Sequence, residues 1–296
     1  MNHIGAQENP PETLVESVVD SAGEVRELAT DGWPQGYIYG ATRYADVILQ
    51  KAFPARSNDL IAALDQFIPT LDELRSGGGG RTVFVKRFDD SLAAMADHGL
   101  AMWGKQNISI SKELALDGTT LKKMRTRGHE IDMFGRGSAD NPLPGIAVEM
   151  EWNNKDPFFD RDLLSFQALH KEGVIAIGVI ITRGPNLQSL IGDTIQSSDG
   201  GLKYGQSSTH WEKLLPRVNL GGGGECPLLL VGIEPKRVAG IDLAQQVKDR
   251  LMQAKELKAG WRKLRLGKKW ADIKPEYQEM VDQAHSLMPP AKETKE

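Results

Sequence analysis

From Ile146 to Trp152 the chain alternates strictly: Ile146, Val148, Met150 and Trp152 fall on one face of an extended segment, Glu149 and Glu151 on the other. The pattern predicts a strand that packs on one side and carries charge on the other. Phe159, Leu163, Phe166, Leu169 and His170 follow at helical spacing, so Asp156 to Lys171 reads as an amphipathic helix stopped by Gly173. The apolar run from Val174 to Ile181 then predicts a strand buried on both faces. Strand, helix and buried strand in succession make a crossover between parallel neighbours.

The flanking sequence is organised around this unit. A helix is expected from Thr13 to Ala29, and Tyr44, Val47 and Ile48, then Leu60, Leu64, Phe67 and Leu71, recur at helical spacing. Gly77 to Gly80 ends that region; Arg81-Thr82-Val83-Phe84-Val85 follows, which reads as extended rather than as the Gly-Lys-Ser/Thr ending of a phosphate-binding loop. A helix is expected from Asp90 to Trp103 and a strand-like segment from Ile108 to Leu116. Beyond the crossover come a short helix from Ser208 to Leu215, a second glycine loop from Gly221 to Gly224, and an apolar strand from Pro227 to Ile233. Helical sequence from Leu243 to Leu257 precedes a basic tail with Trp261, Arg262, Lys263, Arg265, Lys268, Lys269 and Trp270. The division that follows is an N-terminal helical region (1–80), a catalytic core (81–240) and a C-terminal helical, basic extension (241–296). The fold class is α/β, a central mixed sheet flanked by helices with helical extensions at both ends.

Composition narrows the function. At 296 residues the chain can bury a large core without disulfide staples, and its one cysteine, Cys226, stands before a proline and an apolar run, where a buried thiol is expected. The apolar runs are too short to cross a bilayer, so a cytoplasmic protein is expected. A net charge of −4 argues against coating nucleic acid through bulk positive charge. A metal-dependent nuclease is compatible with it, because the centre must itself concentrate carboxylates. Local basic clusters exist, Lys122-Lys123 with Arg125 and Arg127, and Lys255 to Lys269.

Glu149 and Glu151 lie roughly 7 Å apart along one strand face and can address one small volume. A third acid, Asp132, stands in His129-Glu130-Ile131-Asp132-Met133-Phe134, and the Gly-, Pro- and Asn-rich stretch from Gly135 to Gly145 can fold that segment beside the glutamates. Carboxylate oxygens in this arrangement suit Mg²⁺ and metal-assisted phosphodiester hydrolysis. Glu-x-Glu alone is also the signature of a solvated strand face; the crossover that follows it argues for a place near the sheet centre instead. A glycoside hydrolase using two carboxylates is a weaker alternative, since aromatic residues make up only 6% and Trp152 faces away from the glutamates. A catalytically silent DNA-binding module is another.

These residues resemble the BglII/BamHI-like type II restriction endonucleases, a branch of the PD-(D/E)xK nucleases. The likeness rests on Ile131-Asp132, a hairpin-like insert, Ile146 to Phe159, and the strand ending Ile181-Thr182-Arg183-Gly184; it covers roughly Ile108 to Ile233. It implies a homodimer cutting palindromic double-stranded DNA with Mg²⁺, with Asp132 and Glu149 as metal ligands. Glu151 stands where most relatives have a lysine. It also implies an earlier acid near the metal, for which Glu113 is the candidate, with Asp117 or Glu130 as alternatives.

Other polar residues carry weaker signals. Lys155 is a possible phosphate contact, and His210 with Lys213 and Arg217 a possible DNA-reaching group. The competing reading makes Ser208 or Thr209 the N-cap of a helix. His129 falls on the strand face opposite Asp132 and is read as structural. No Gly-x-Ser-x-Gly motif and no zinc-ligand spacing is present.

Overall fold

The computed structural model describes residues 23–76, 82–125, 128–264 and 269–289. In chain order its elements begin with β1 (Arg26–Glu27), β2 (Tyr37–Ala41), α1 (Ala45–Ala52), α2 (Pro54–Gln66), α3 (Leu71–Arg75) and α4 (Val83–Ala93). Then come β3 (Ala96–Asp97), β4 (Leu100–Ala101), β5 (Trp103–Ile108), β6 (Ser111–Leu116), β7 (Thr119–Arg125), β8 (His129–Gly135) and β9 (Gly145–Met150). The rest are α5 (Phe158–Lys171), β10 (Ile175–Arg183), α6 (Pro185–Thr194), α7 (Trp211–Asn219), β11 (Leu228–Ile233), α8 (Asp242–Leu264) and α9 (Trp270–Ser286).

Seven strands form one mixed sheet in the order β1-β2-β11-β10-β9-β8-β5. The crossover expected from the hydrophobic pattern is present: β9, α5 and β10 follow one another, with Val148 beside Val179 and Ile180 beside Glu149 in a parallel ladder. β11 adds a third parallel strand, whereas β8, β5, β2 and β1 run antiparallel to their neighbours. Helices cover both faces, as the restriction-endonuclease-like α/β core implied by the resemblance requires. On one face Val148, Met150, Val179, Ile181 and Val231 pack under α1, α2, α4 and α6. On the other, Ala147, Ile180 and Leu230 pack under α5 and α7. β9 is therefore buried along its whole length, and the charged face expected for it lies beneath a helix.

Several local expectations give way to tertiary structure. Of the helix expected from Thr13 to Ala29, residues 13–22 lie outside the described residues, and Arg26–Glu27 is an edge strand paired with Ala41 and Gly40. The extended reading of Arg81 to Val85 is overturned from Val83 onward: Phe84, Val85, Phe88 and Leu92 are buried at helical spacing in α4, which outweighs the short β-branched run. The helix expected from Asp90 to Trp103 ends at Ala93 instead. His98 and Gly99, both at positive φ, turn the chain into the β3–β4 hairpin, and Trp103 opens β5. The tail after Leu257 contains the end of α8 and the whole of α9, joined by contacts among Trp261, Trp270 and Tyr277. Strand β2, from the N-terminal region, lies inside the sheet beside β11. No described helix is long and apolar enough to cross a membrane.

Candidate active site

The antiparallel ladder between β8 and β9 pairs Met133 with Val148 and Phe134 with Ala147. Continued by one residue, this register sets Asp132 opposite Glu149, and the Asp132 amide donates to Glu149 Oε1 at 3.1 Å. Glu151 lies one residue past the end of β9 but keeps the strand's course, because its amide donates to Ile181 O at 2.9 Å and Thr182 Oγ1 donates to its carbonyl at 2.8 Å. Asp132, Glu149 and Glu151 thus line one open cleft of about 1010 Å³, with Asn154 and Arg161 on its wall.

Both glutamates are only 3% exposed, so their charges need partners inside the protein. Glu151 Oε1 accepts from Arg161 Nη2 at 3.1 Å, and its Oε2 accepts from Asn154 Nδ2 at 2.5 Å. The same Arg161 grips Asp162 Oδ1 through Nη2 at 2.7 Å and Nε at 2.8 Å. Asp162 projects from α5 toward the sheet; its Oδ2 is buried with no hydrogen-bond donor reaching it. Burial first, then the Glu151 carboxylate, pushes the Asp162 pKa up to about 8, against the pull of Arg161. Burial, with Asp162 and Asp132 nearby, likewise holds Glu149 well above the usual carboxylate range. Burial opposes the charge on Arg161, but Asp162, Glu151 and Glu149 together hold its pKa above the ordinary value.

Asp162, Glu151 and Glu149 surround one guanidinium, so the acids outnumber the fixed cation there, and a hard cation would favour their ionised forms. The donor set fits such an ion: all oxygen, with Asp132 and Glu149 on adjacent strands in the lining of the cleft. Among the described residues no three ligands close into a cage. A hard divalent ion is often held by only one or two carboxylates, its shell completed by water and substrate phosphate.

A family model described as Endonuc-BglII, restriction endonuclease BglII/BglIII, matches residues 37–233. The chain belongs to that family. The match runs from the first residue of β2 to the last of β11, so it contains every acid of the cleft and leaves α8 and α9 outside. This endonuclease is accordingly a site-specific DNA nuclease of the restriction class, which sets aside the glycoside hydrolase alternative. Among curated proteins, no sequence matches the chain.

The remaining expected residues are distributed unevenly around the endonuclease cleft. Glu113 is not brought to it. It sits on β6 in the separate, solvent-exposed β6–β7 hairpin, where it meets Lys123 and Thr120. Asp117 turns that hairpin at φ 49°, and Glu130 reaches the cleft wall but is ion-paired with Lys105. His129 also lines the cleft and contacts Ser165 at 3.3 Å; a register shift in the β5–β8 ladder, which pairs Gln106 with Ile131 but Gly104 with Phe134, breaks the alternation that set His129 opposite Asp132.

The expected DNA contacts separate likewise. Lys155 is exposed on the loop after β9. His210, by contrast, is 1% exposed and cannot reach DNA from where it stands. The cause is Arg183, fully buried between the rings of Tyr204 and Trp152, which binds Ser208 Oγ and Thr209 O, each at 2.6 Å. This clamp draws the loop inward, and Thr209 N donates on to Asn154 O at 2.8 Å. His210 is itself the N-cap of α7, without a side-chain capping bond, in place of Ser208 or Thr209. Lys213 is half-buried, and Arg217 is engaged by Asp156 and Asp160. Cys226 is buried and its thiol is pushed up to about 12 by that burial, as suits an inert core residue.

The residues that sequence reasoning missed are Asp162 and Arg161. The signal for Asp162 was present: it lies three residues after Phe159 and four before Phe166, on the apolar stripe of α5. An acid on a buried stripe requires a polar partner on the facing element.

Proposed function

We propose that this chain is a type II restriction endonuclease that acts as a homodimer, hydrolysing both strands of double-stranded DNA at a palindromic site with Mg²⁺. The observation that carries the reading is the Asp132–Glu149 pair, opposed across one ladder and joined by Glu151 in an open cleft. Asp132 and Glu149 would hold the ion. When bound, it supplies positive charge to the phosphodiester and acidity to the attacking water. Glu151, gripped by Arg161 and Asn154, has a carboxylate that can approach the ion and orient that water. Lys155, on the exposed loop beside the cleft, steadies a backbone phosphate. A twofold dimer presents two such clefts to a palindrome. Helix α5 supports that assembly, since Phe158 and Leu164 leave apolar surface exposed on it. A cytoplasmic location belongs to the same reading, as the substrate is DNA.

The test is digestion of a mixed-sequence plasmid with Mg²⁺ or with EDTA, followed by sequencing of the ends. Discrete fragments with one recurrent end sequence, formed only with the metal, are expected. Intact plasmid under both conditions overturns the reading, and a monomer by light scattering with and without DNA overturns the dimer.

A further inference from the structure

We propose that Arg161 is a positioning residue of the nuclease centre, fixing the Glu151 carboxylate while competing with the divalent ion for it. Three observations carry this, and the inference rests on the nuclease reading above. Arg161 lies in the first turn of α5, where a cation opposes the helix dipole, so the helix itself gains nothing from it there. Its guanidinium instead bridges two acids whose side chains are each 4% exposed, Glu151 and Asp162, while its own side chain is 57% exposed toward the cleft. Its path is set by Phe158, whose ring centroid is 4.7 Å from the guanidinium carbon.

The consequence is a split between metal affinity and rate. A guanidinium already bound to Glu151 repels an incoming divalent ion and occupies one of the oxygens facing the cleft, so it weakens metal binding. The same contact stops Glu151 from rotating, which the attacking water needs. Loss of Arg161 therefore tightens the metal and slows the chemistry, opposite effects that a helix-packing role would not produce together.

The experiment compares the full-length parent with Arg161→Gln, Arg161→Met and Arg161→Lys. Ca²⁺ binding is followed by calorimetry without DNA, and plasmid cleavage is timed in saturating Mg²⁺. Arg161→Gln should bind Ca²⁺ about three- to tenfold tighter and cut at least about tenfold more slowly. Arg161→Met, which keeps the stem packed on Phe158, should do the same if Arg161→Gln fails to fold. Arg161→Lys should restore the parental Ca²⁺ affinity and part of the rate. Unchanged or weaker Ca²⁺ binding in the folded Gln and Met variants, in a parent that cuts DNA, overturns the role of Arg161 alone. A parent that cuts no DNA, with Ca²⁺ binding still tightened by Arg161→Gln, upholds the competition and overturns the nuclease reading instead.

Discussion

Asp132 donates its backbone N–H to the carboxylate of Glu149 across the β8–β9 ladder, so the two proposed ligands are tied by a bond whose donor Asp132→Ala keeps. Replacing Asp132 or Glu149 by Ala should abolish cleavage, by on the order of 10³-fold or more. Duplex binding measured in EDTA should stay intact or tighten, because an acid beside a phosphate is removed. Loss of binding and folding together with cleavage would recast both residues as structural.

Glu151 separates mechanism from surface chemistry. Glu151→Ala removes the carboxylate that Arg161 and Asn154 hold, and Glu151→Lys sets a second cation beside Arg161. Both should cut at least about a hundredfold more slowly in saturating Mg²⁺. Parental rates in both variants would remove Glu151 from the reaction.

The metal-free protein should lose stability as pH rises. An unfolded aspartate titrates near about 3.9, whereas burial holds Asp162 at about 8 in the fold. Between those values the folded chain keeps a proton that the unfolded chain has released, so stability is greatest at the acid end of the window and falls toward pH 8. Glu149, also raised, acts in the same direction. Melting temperatures in EDTA should drop by several degrees from pH 5.5 to 8, and Asp162→Asn should flatten the slope. A melting temperature that rises over this range in the parent would contradict the assignment.

Arg183 holds the loop of residues 205–210 against the cleft loop through Ser208 and Thr209. Arg183→Met leaves the Thr209 carbonyl without its donor and should cost about 2–4 kcal/mol in chemical denaturation. Proteolysis should then cut first within 205–210; parental resistance there would show that the loop stands without the clamp.

Gly178 lies on β10 directly beneath α5. A Cβ at this position would stand 2.2 Å from Phe166 Cδ2, and Phe166 is fully buried. Gly178→Ala should destabilise by about 1–3 kcal/mol through displacement of α5, and should slow cleavage because Arg161 rides on the same helix. An unchanged melting temperature would mean that the helix shifts freely.

The local periods of the sequence determined the centre of the fold. Alternation from Ile146 to Trp152, a helical stripe, and an unbroken apolar run specify β9, α5 and β10, because each period reflects burial on a geometry the backbone itself imposes. The turn-rich insert before Gly145 made an antiparallel Asp132 segment legible for the same reason. Only the tertiary structure decided what faces those acids. That Asp162 and Arg161 are the residues reaching Glu151 depends on how α5 rotates onto the sheet, and that Glu113 stays away depends on a hairpin leaving it. Strand β2 joins β11 across nearly the whole core, with Ala41 beside Leu229, and β1 extends the edge beyond it. His210 is buried because Arg183, 27 positions earlier in the chain, pulls its loop inward. Such pairings follow from contacts between distant segments, whose energies are shared among many residues and leave no periodic trace in any one of them.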